Sequence, residues 1–387
     1  MEMLTAINQA TGDSFIMIID EWDAICREFE PHSKVMDAFV NWLRRMFKGG
    51  DSLDVFAGVY MTGILPIKKY KTESALNNFM EYSVTSPMNM SRFFGFTSSE
   101  VKKLCEDNGR DFNEMVQWYD GYTIGTESSI FNPNSVMMAL MAGYCRSFWA
   151  KTGAYDHVAT YIDMDFEGLK DDIIYMLAGG RCDVETNSFG NDLNIVRSKD
   201  EVLTVLIHLG YLAYDFEEEQ CYIPNYEVRL EMENAIKSSG WQVAKAITGS
   251  KKLLNATLAL DTDYVAQAID KAHDENTSIL SYNDENSLSC VLSIAYLYAH
   301  NYYVIHRELA TGKGYADMVL MPRRNVDKPA IVLELKYRQD VEAAIDQIKR
   351  KDYVGKVGQY TGDILLVGIS YDKKEKRHTC VIETVSK

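Results

Sequence analysis

The sequence predicts a multi-domain α/β protein: a parallel sheet first, a mostly helical middle, and a mixed α/β domain at the end. Three observations predict this. Phe15-Ile16-Met17-Ile18-Ile19 is a short apolar run followed by a helical pattern and a second strand pattern, an order that implies a parallel sheet. From about residue 130 to 280 the apolar spacing is mostly helical. The last hundred residues read helix, three strands, helix, strand. These changes of pattern divide the chain into residues 1–145, 146–280 and 281–387.

The elements follow in order. The Phe15–Ile19 run ends abruptly in Asp20-Glu21-Trp22-Asp23, as a strand buried on both faces would. Val35, Phe39, Trp42, Leu43 and Met46 recur at helical spacing, and residues 53–61 read as the next strand, ending at Thr62-Gly63. Thr97 with Glu100, and Ser198 with Glu201, are capping boxes that open amphipathic helices. Gly210 is placed to stop the second helix. Residues 211–215 and 220–223 pair as a hairpin around the acidic turn 216–219. A helix followed by a hairpin resembles a winged helix, a fold that binds DNA. The alternative is a helical spacer, because Glu217, Glu218 and Glu219 at the tip repel phosphate. Farther on, residues 288–299 read as a helix, 302–308, 315–321 and 330–337 as strands, 341–354 as a helix, and 363–370 and 379–384 as strands.

Composition narrows the function. The net charge is −16. It is uneven: residues 1–299 carry 24 basic and 44 acidic side chains, and residues 300–387 carry 16 and 12. An acidic chain disfavours a long phosphate-binding groove, but a local basic surface remains. Arg323, Arg324, Lys349, Arg350, Lys351 and Lys356 offer one in the C-terminal domain, suited to DNA. No apolar run approaches the roughly 20 residues of a membrane span. The N-terminus lacks a basic and apolar leader, and the seven cysteines (26, 105, 145, 182, 221, 290, 380) form no CxxC. A cytoplasmic protein is expected. Homo-oligomerisation is compatible with the sequence and is not specified by it.

The candidate chemistry lies in the C-terminal domain. Glu334 and Lys336 sit two apart on one strand, so they share a face, and Leu333 and Leu335 take the other. Asp317 lies on the preceding strand and converges with them if the two strands are neighbours. Carboxylates suit Mg²⁺, and an ammonium beside them can position a water or neutralise a phosphoryl transition state. Glu285, before the first strand, would complete the metal site, and Gln347 would reach in from the following helix. The alternative for Glu334 and Lys336 is a surface salt bridge, but Ile331-Val332-Leu333 mark a central strand, where charges need partners.

Residues 283–356 resemble the PD-(D/E)XK nuclease superfamily, in the version that ends bacterial AAA-ATPase-like proteins. The resemblance rests on Asn283 to Glu285, Arg307-Glu308, Gly314, Asp317 to Leu320, Pro329 to Lys336, and Gln347 to Tyr353. It implies a restriction-endonuclease-like fold and Mg²⁺-dependent DNA cleavage. It implies metal binding by Asp317 and Glu334, catalysis by Lys336, and support from Glu285 and Gln347. Asp317 follows alanine where the superfamily nominally has proline.

The N-terminal segments Asp20 to Asp23, Met61-Thr62-Gly63, Phe94 to Thr97, Trp118 to Tyr122 and Phe131-Asn132-Pro133 resemble the same AAA-ATPase-like family. Asp20 and Glu21 then take the form of a Walker B pair, and Thr62 that of a γ-phosphate sensor. The phosphate-cradling motif G-x-x-x-x-G-K-[ST] occurs nowhere, and about a dozen residues precede the Walker B strand. The expectation is therefore an incomplete P-loop module, with Asp20, Glu21 and Thr62 a nucleotide-site remnant and no ATP hydrolysis by this chain alone. The competing readings are a non-catalytic nucleic-acid-binding or regulatory protein, and an ATP-dependent switch that takes its P-loop from a second chain. Other groups point to packing: His208 to the core, Trp118 to Tyr122 to an aromatic turn, and Met137, Met138 and Met141 to a helix core.

Overall fold

A computed structural model describes residues 2–25, 33–48, 55–64, 78–149, 166, 168–177, 179–187, 189, 196–239, 242–275, 292–293, 295–310, 315–323, 326–337, 341–350, 362–372, 375 and 377–385. The side chains of 36, 237–239, 242–248, 275, 307–310, 315–317, 337, 342 and 350 fall outside the description. The elements run α1 (Glu2–Thr11), β1 (Phe15–Ile19), α2 (Lys34–Lys48), β2 (Phe56–Met61), β3 (Phe96–Thr97), α3 (Ser98–Asp107), α4 (Phe112–Tyr119), β4 (Tyr122–Ile124), β5 (Glu127–Phe131) and α5 (Pro133–Ala142). They continue with α6 (Leu169–Leu177), β6 (Cys182–Asp183), α7 (Lys199–His208), β7 (Ala213–Asp215), β8 (Gln220–Tyr222), α8 (Tyr226–Ser239), α9 (Gln242–Leu258) and α10 (Thr262–Glu275). The last are β9 (Tyr303–Ala310), β10 (Tyr315–Pro322), β11 (Ala330–Tyr337), α11 (Val341–Arg350), β12 (Ile364–Asp372) and β13 (Arg377–Val385). Two compact units result: residues 1–169 with 181–232, and residues 170–180 with 233–387. Among the described residues no helix is long and apolar enough to cross a membrane.

In the first unit β1 and β2 pair in parallel, as their sequence order implies. Burial on both faces does not hold. Met17, Ile19, Phe56 and Met61 pack on Leu43, Met46 and Phe47 of α2, but Ile16 and Ile18 are 74% and 71% exposed. Among the described residues the sheet has two strands with α2 on one side, so the face carrying Ile16 and Ile18 stays open.

The helix caps follow the sequence closely. Glu100 Oε2 accepts the Thr97 backbone N–H at 2.8 Å and the Thr97 hydroxyl at 2.7 Å, opening α3. At α7, Ser198 Oγ accepts the Glu201 N–H at 3.2 Å, but the Glu201 carboxylate takes the Arg197 N–H, one residue before the cap. Gly210 stops that helix with φ of +80°, and β7 and β8 then form the expected hairpin. β6 adds a third strand beside β8. The Trp118 to Tyr122 segment is a packed turn. Tyr119 is fully buried and donates to the Arg146 carbonyl at 2.8 Å, while Trp118 meets Tyr226 edge-on at 4.6 Å. At Gly121, φ is +118° and a Cβ would come within 1.9 Å of the Pro224 carbonyl oxygen, so only glycine fits. The methionine expectation is corrected: Met138 packs on the core, but Met137 and Met141 are 42% and 78% exposed. They sit four apart, on the outer face of α5, which is apolar on more than one side.

The second unit is built on a five-stranded sheet in the order β13-β12-β11-β10-β9. β11 and β12 are parallel, and the other pairs are antiparallel. One face packs on α9 and α10 through Leu253, Val265 and Ile269 against Leu333, Leu335, Val367 and Ile369. The other packs on α11 through Ile345 and Ile348 against Val319, Val332 and Leu366. Because both faces are covered, Ile331, Val332 and Leu333 are fully buried, which explains why β11 reads as a continuous apolar run. Of the helix expected at 288–299, residues 288–291 and 294 lie outside the described residues, and Leu297–Asn301 is a short 3₁₀ turn.

Candidate active site

The strand β11 alternates as its sequence requires. Leu333 and Leu335 enter the core against α9 and α10, and Val332 enters the core against α11. Glu334 and Lys336 share the parity of Val332, so they face α11. Glu334 is 1% exposed. A carboxylate at that depth is stable only when it is paired and hydrogen-bonded. Lys336 Nζ donates to Glu334 Oε1 at 3.1 Å, and Gln347 Nε2 of α11 donates to the same oxygen. Three of the four expected catalytic residues therefore meet at one atom.

The helix reaches Glu334 because of a residue that the sequence reading did not single out. Gly368 of β12 is the register partner of Glu334. A Cβ there would lie 3.0 Å from Ile345 Cγ1, 3.1 Å from the Val341 carbonyl oxygen and 3.2 Å from Ala344 Cβ. Gly368 thus seats α11 directly on the sheet, one turn from Gln347. Its sequence signal is a lone glycine inside the apolar run of β12, a mark of close backbone approach.

Asp317 lies on β10, which pairs with β11 through Met318 and Leu333. Asp317 and Glu334 are the next positions of that register. The side chain of Asp317 and the whole of Glu285 lie outside the described residues. Among the described residues no group of three or more His, Cys, Asp or Glu side chains could hold a metal ion. Of the expected basic surface, Lys349 pairs with Glu383 at 2.6 Å and Arg323 Nε donates to the His300 carbonyl at 3.1 Å. Arg324, Lys351, Lys356 and the Arg350 side chain lie outside the described residues.

In the first unit Asp20, Glu21 and Thr62 also come together, at the ends of β1 and β2. Asp20 Oδ1 accepts the Thr62 hydroxyl at 2.5 Å and the Glu21 N–H at 3.0 Å. Glu21 adopts a left-handed φ of +48°. Asp20 and Glu21 are exposed. Beside Thr62 opens a cavity of about 780 Å³ lined by Trp22, Phe47, Phe56, Phe79, Phe94 and others. The described lining includes no Lys or Arg. His208 also lines it, half-buried and stacked on Phe189 at 5.7 Å. Burial pushes its imidazole down to about 4, so the ring is neutral near pH 7.

Over 157 residues the chain is 26% identical to an uncharacterised protein in the vnfD 5′ region of Azotobacter chroococcum mcd 1. The match spans 39% of this chain and 30% of that protein's length. Residues 284–380 match the PD-(D/E)XK nuclease superfamily. With a mixed sheet whose central strand carries Glu-Leu-Lys, the C-terminal part of the chain is a PD-(D/E)XK nuclease superfamily domain.

Proposed function

We propose that this protein is a Mg²⁺-dependent DNA endonuclease, with the reaction carried by the C-terminal domain of residues 281–387. The observation that carries the reading is the buried Glu334 carboxylate, held by Lys336 and Gln347 inside the matched superfamily segment. A buried acid with two donors on one oxygen is poorly explained as a surface ion pair. The donor type fits a hard cation: Glu334 offers carboxylate oxygen, and the backbone of Asp317 takes the next position of the β10–β11 register. Asp317, Glu334 and Glu285 would hold the ion. When bound, the ion would acidify a coordinated water and offset phosphate charge. Lys336 keeps its ammonium at the reacting edge, where it offsets charge developing on the phosphate. Gln347 fixes the rotamer of Glu334 by donating to its Oε1. The test is plasmid incubation with Mg²⁺ or with EDTA, beside Lys336→Ala. Relaxed and linear products should form only with Mg²⁺ and only with the unsubstituted protein. No metal-dependent product, or equal cleavage by Lys336→Ala, sinks the reading.

A second observation favours a reading of the first unit as a degenerate AAA-ATPase-like module. Asp20 and Thr62 are hydrogen-bonded at the ends of two adjacent parallel strands, the edge at which parallel sheets take ligands. The neighbouring cavity has no described Lys or Arg, and the sequence contains no phosphate-cradling motif, so ATP hydrolysis by this chain is not expected. Equilibrium dialysis with ATP tests it: saturable binding in the micromolar range contradicts a degenerate site.

A further inference from the structure

We propose that the second unit carries a nucleic-acid contact strip that is separate from the Glu334 site and reads the phosphate backbone. The strip runs from α9 across the Leu297–Asn301 turn to the ends of β10 and β11. Lys251 Nζ lies 5.6 Å from the Tyr298 ring centre and Lys328 Nζ lies 5.0 Å from that of Tyr302. The two rings are 5.8 Å apart, with their hydroxyls 3.3 Å apart. Lys252 is exposed beside Lys251 on α9. Lys251 and Lys328 thus flank the Tyr298–Tyr302 pair, with Lys252 next to Lys251. The described segments that build it contribute one carboxylate, Asp327, and α9 has none.

In a chain of net charge −16, such a strip is a local reversal of sign. Lysines held over tyrosine faces are partly pre-positioned, so less side-chain freedom is lost when they meet an anion. Because the lysines occupy the ring faces, bases have little room to stack. The partner is therefore a phosphate chain met without sequence preference, with successive phosphates about 3.4 Å apart along the axis in each strand. Tyr298 and Tyr302 pack on the core face formed with α9 and α10, whereas Glu334 faces α11. The strip also lies beyond Ala330, at the other end of β11 from Lys336. It holds nucleic acid outside the cleavage site, so a long substrate gains effective concentration there and a short one does not. This inference rests on the nuclease reading for its biological sense, but its binding claim does not.

The experiment measures binding of a labelled duplex of about three helical turns to the full chain in EDTA, between about 50 and 200 mM salt. The chain is compared with Lys102→Gln/Lys103→Gln and with the triple variant Lys251→Gln/Lys252→Gln/Lys328→Gln. The unsubstituted protein and Lys102→Gln/Lys103→Gln, which changes exposed lysines of α3 in the first unit, should bind alike. The triple variant should bind about tenfold more weakly or worse, with a log–log salt slope shallower by about 2 to 3. If the triple variant does not fold, Lys251→Gln/Lys252→Gln changes only exposed side chains and should lower the slope by about 2. Unchanged affinity and slope overturn the strip, as does tighter binding of poly-glutamate than of DNA. Since no metal is present, intact binding without Mg²⁺-dependent cleavage would remove the nuclease reading and leave the strip standing.

Discussion

The molecule contains two apolar strands of nearly the same design, β1 and β11, each in a parallel pair and each leading to an acid. In the first unit, β1 pairs with β2 alone among the described residues, with Ile16 and Ile18 exposed, and Asp20 is exposed with Thr62 as its one side-chain partner among the described residues. In the second, β11 is the centre of five strands, and Glu334 is buried under α11 with Lys336 and Gln347 on one oxygen. The difference teaches that an acid after an apolar strand has no fixed meaning. Water screens Asp20, whereas Glu334 sits where charge interactions are strong and every missing partner is costly. Chemistry is expected at the second acid because its environment, not its type, makes it unusual.

The largest expected effect tests that contrast directly. If the proposed nuclease site is right, Glu334→Gln should lower the plasmid cleavage rate by about three orders of magnitude or more, since it removes an anionic oxygen proposed to hold the ion. Asp20→Asn should leave the rate within about twofold, given ordinary surface tolerance. Loss of cleavage in Asp20→Asn, or its survival in Glu334→Gln, breaks the comparison. Next comes stability. Lys336→Met strands a buried carboxylate and should cost about 3 kcal/mol in urea unfolding, and adding Glu334→Gln should restore most of it. If the double variant is as unstable as the single, the pair does not act as a unit.

Gly368→Ala sharpens the role of the helix seat. The added Cβ meets backbone as well as side chains, so a loss of about 1 to 2 kcal/mol is expected, together with slower cleavage. Its effect on cleavage should be less than additive with Gln347→Ala, because both act through the α11 contact on Glu334. Full additivity would separate Gly368 from the site. A smaller effect concerns pH in the first unit. His208 is pulled from 6.5 to about 4, so between those values the unfolded chain binds a proton that the folded chain refuses. Stability should be fully present above pH 6.5 and fall as pH drops toward 4, by up to about 1.4 kcal/mol per pH unit. His208→Phe should flatten that limb of the urea-midpoint profile, and an unchanged slope would assign it elsewhere. Smallest of all, Asp20→Asn should shift stability by no more than about 0.5 kcal/mol.

Much of the fold was legible because local signals and tertiary demands agreed. Thr97 and Glu100 formed their box, Gly210 stopped α7, and the order of strands and helix from residue 303 onward follows the apolar periods. Glu334 and Lys336 could be placed on one face from their spacing alone, since strand alternation is a backbone property. Other features were hidden. Met137 and Met141 read as core because apolar spacing cannot say how much of an apolar helix will be covered. Ile16 and Ile18 read as buried because sequence reports a strand's preference, not how many neighbours its sheet acquires.

What the sequence determined by itself is the order of strands and helix from residue 303 onward and which strand residues share a face, which follow from periods of 2 and 3.6. Only the tertiary structure decided which acid is buried. That depends on the number of strands in the sheet and on a helix lying against it. The helix lies there because Gly368, the β12 partner of Glu334, has no side chain to hold it away.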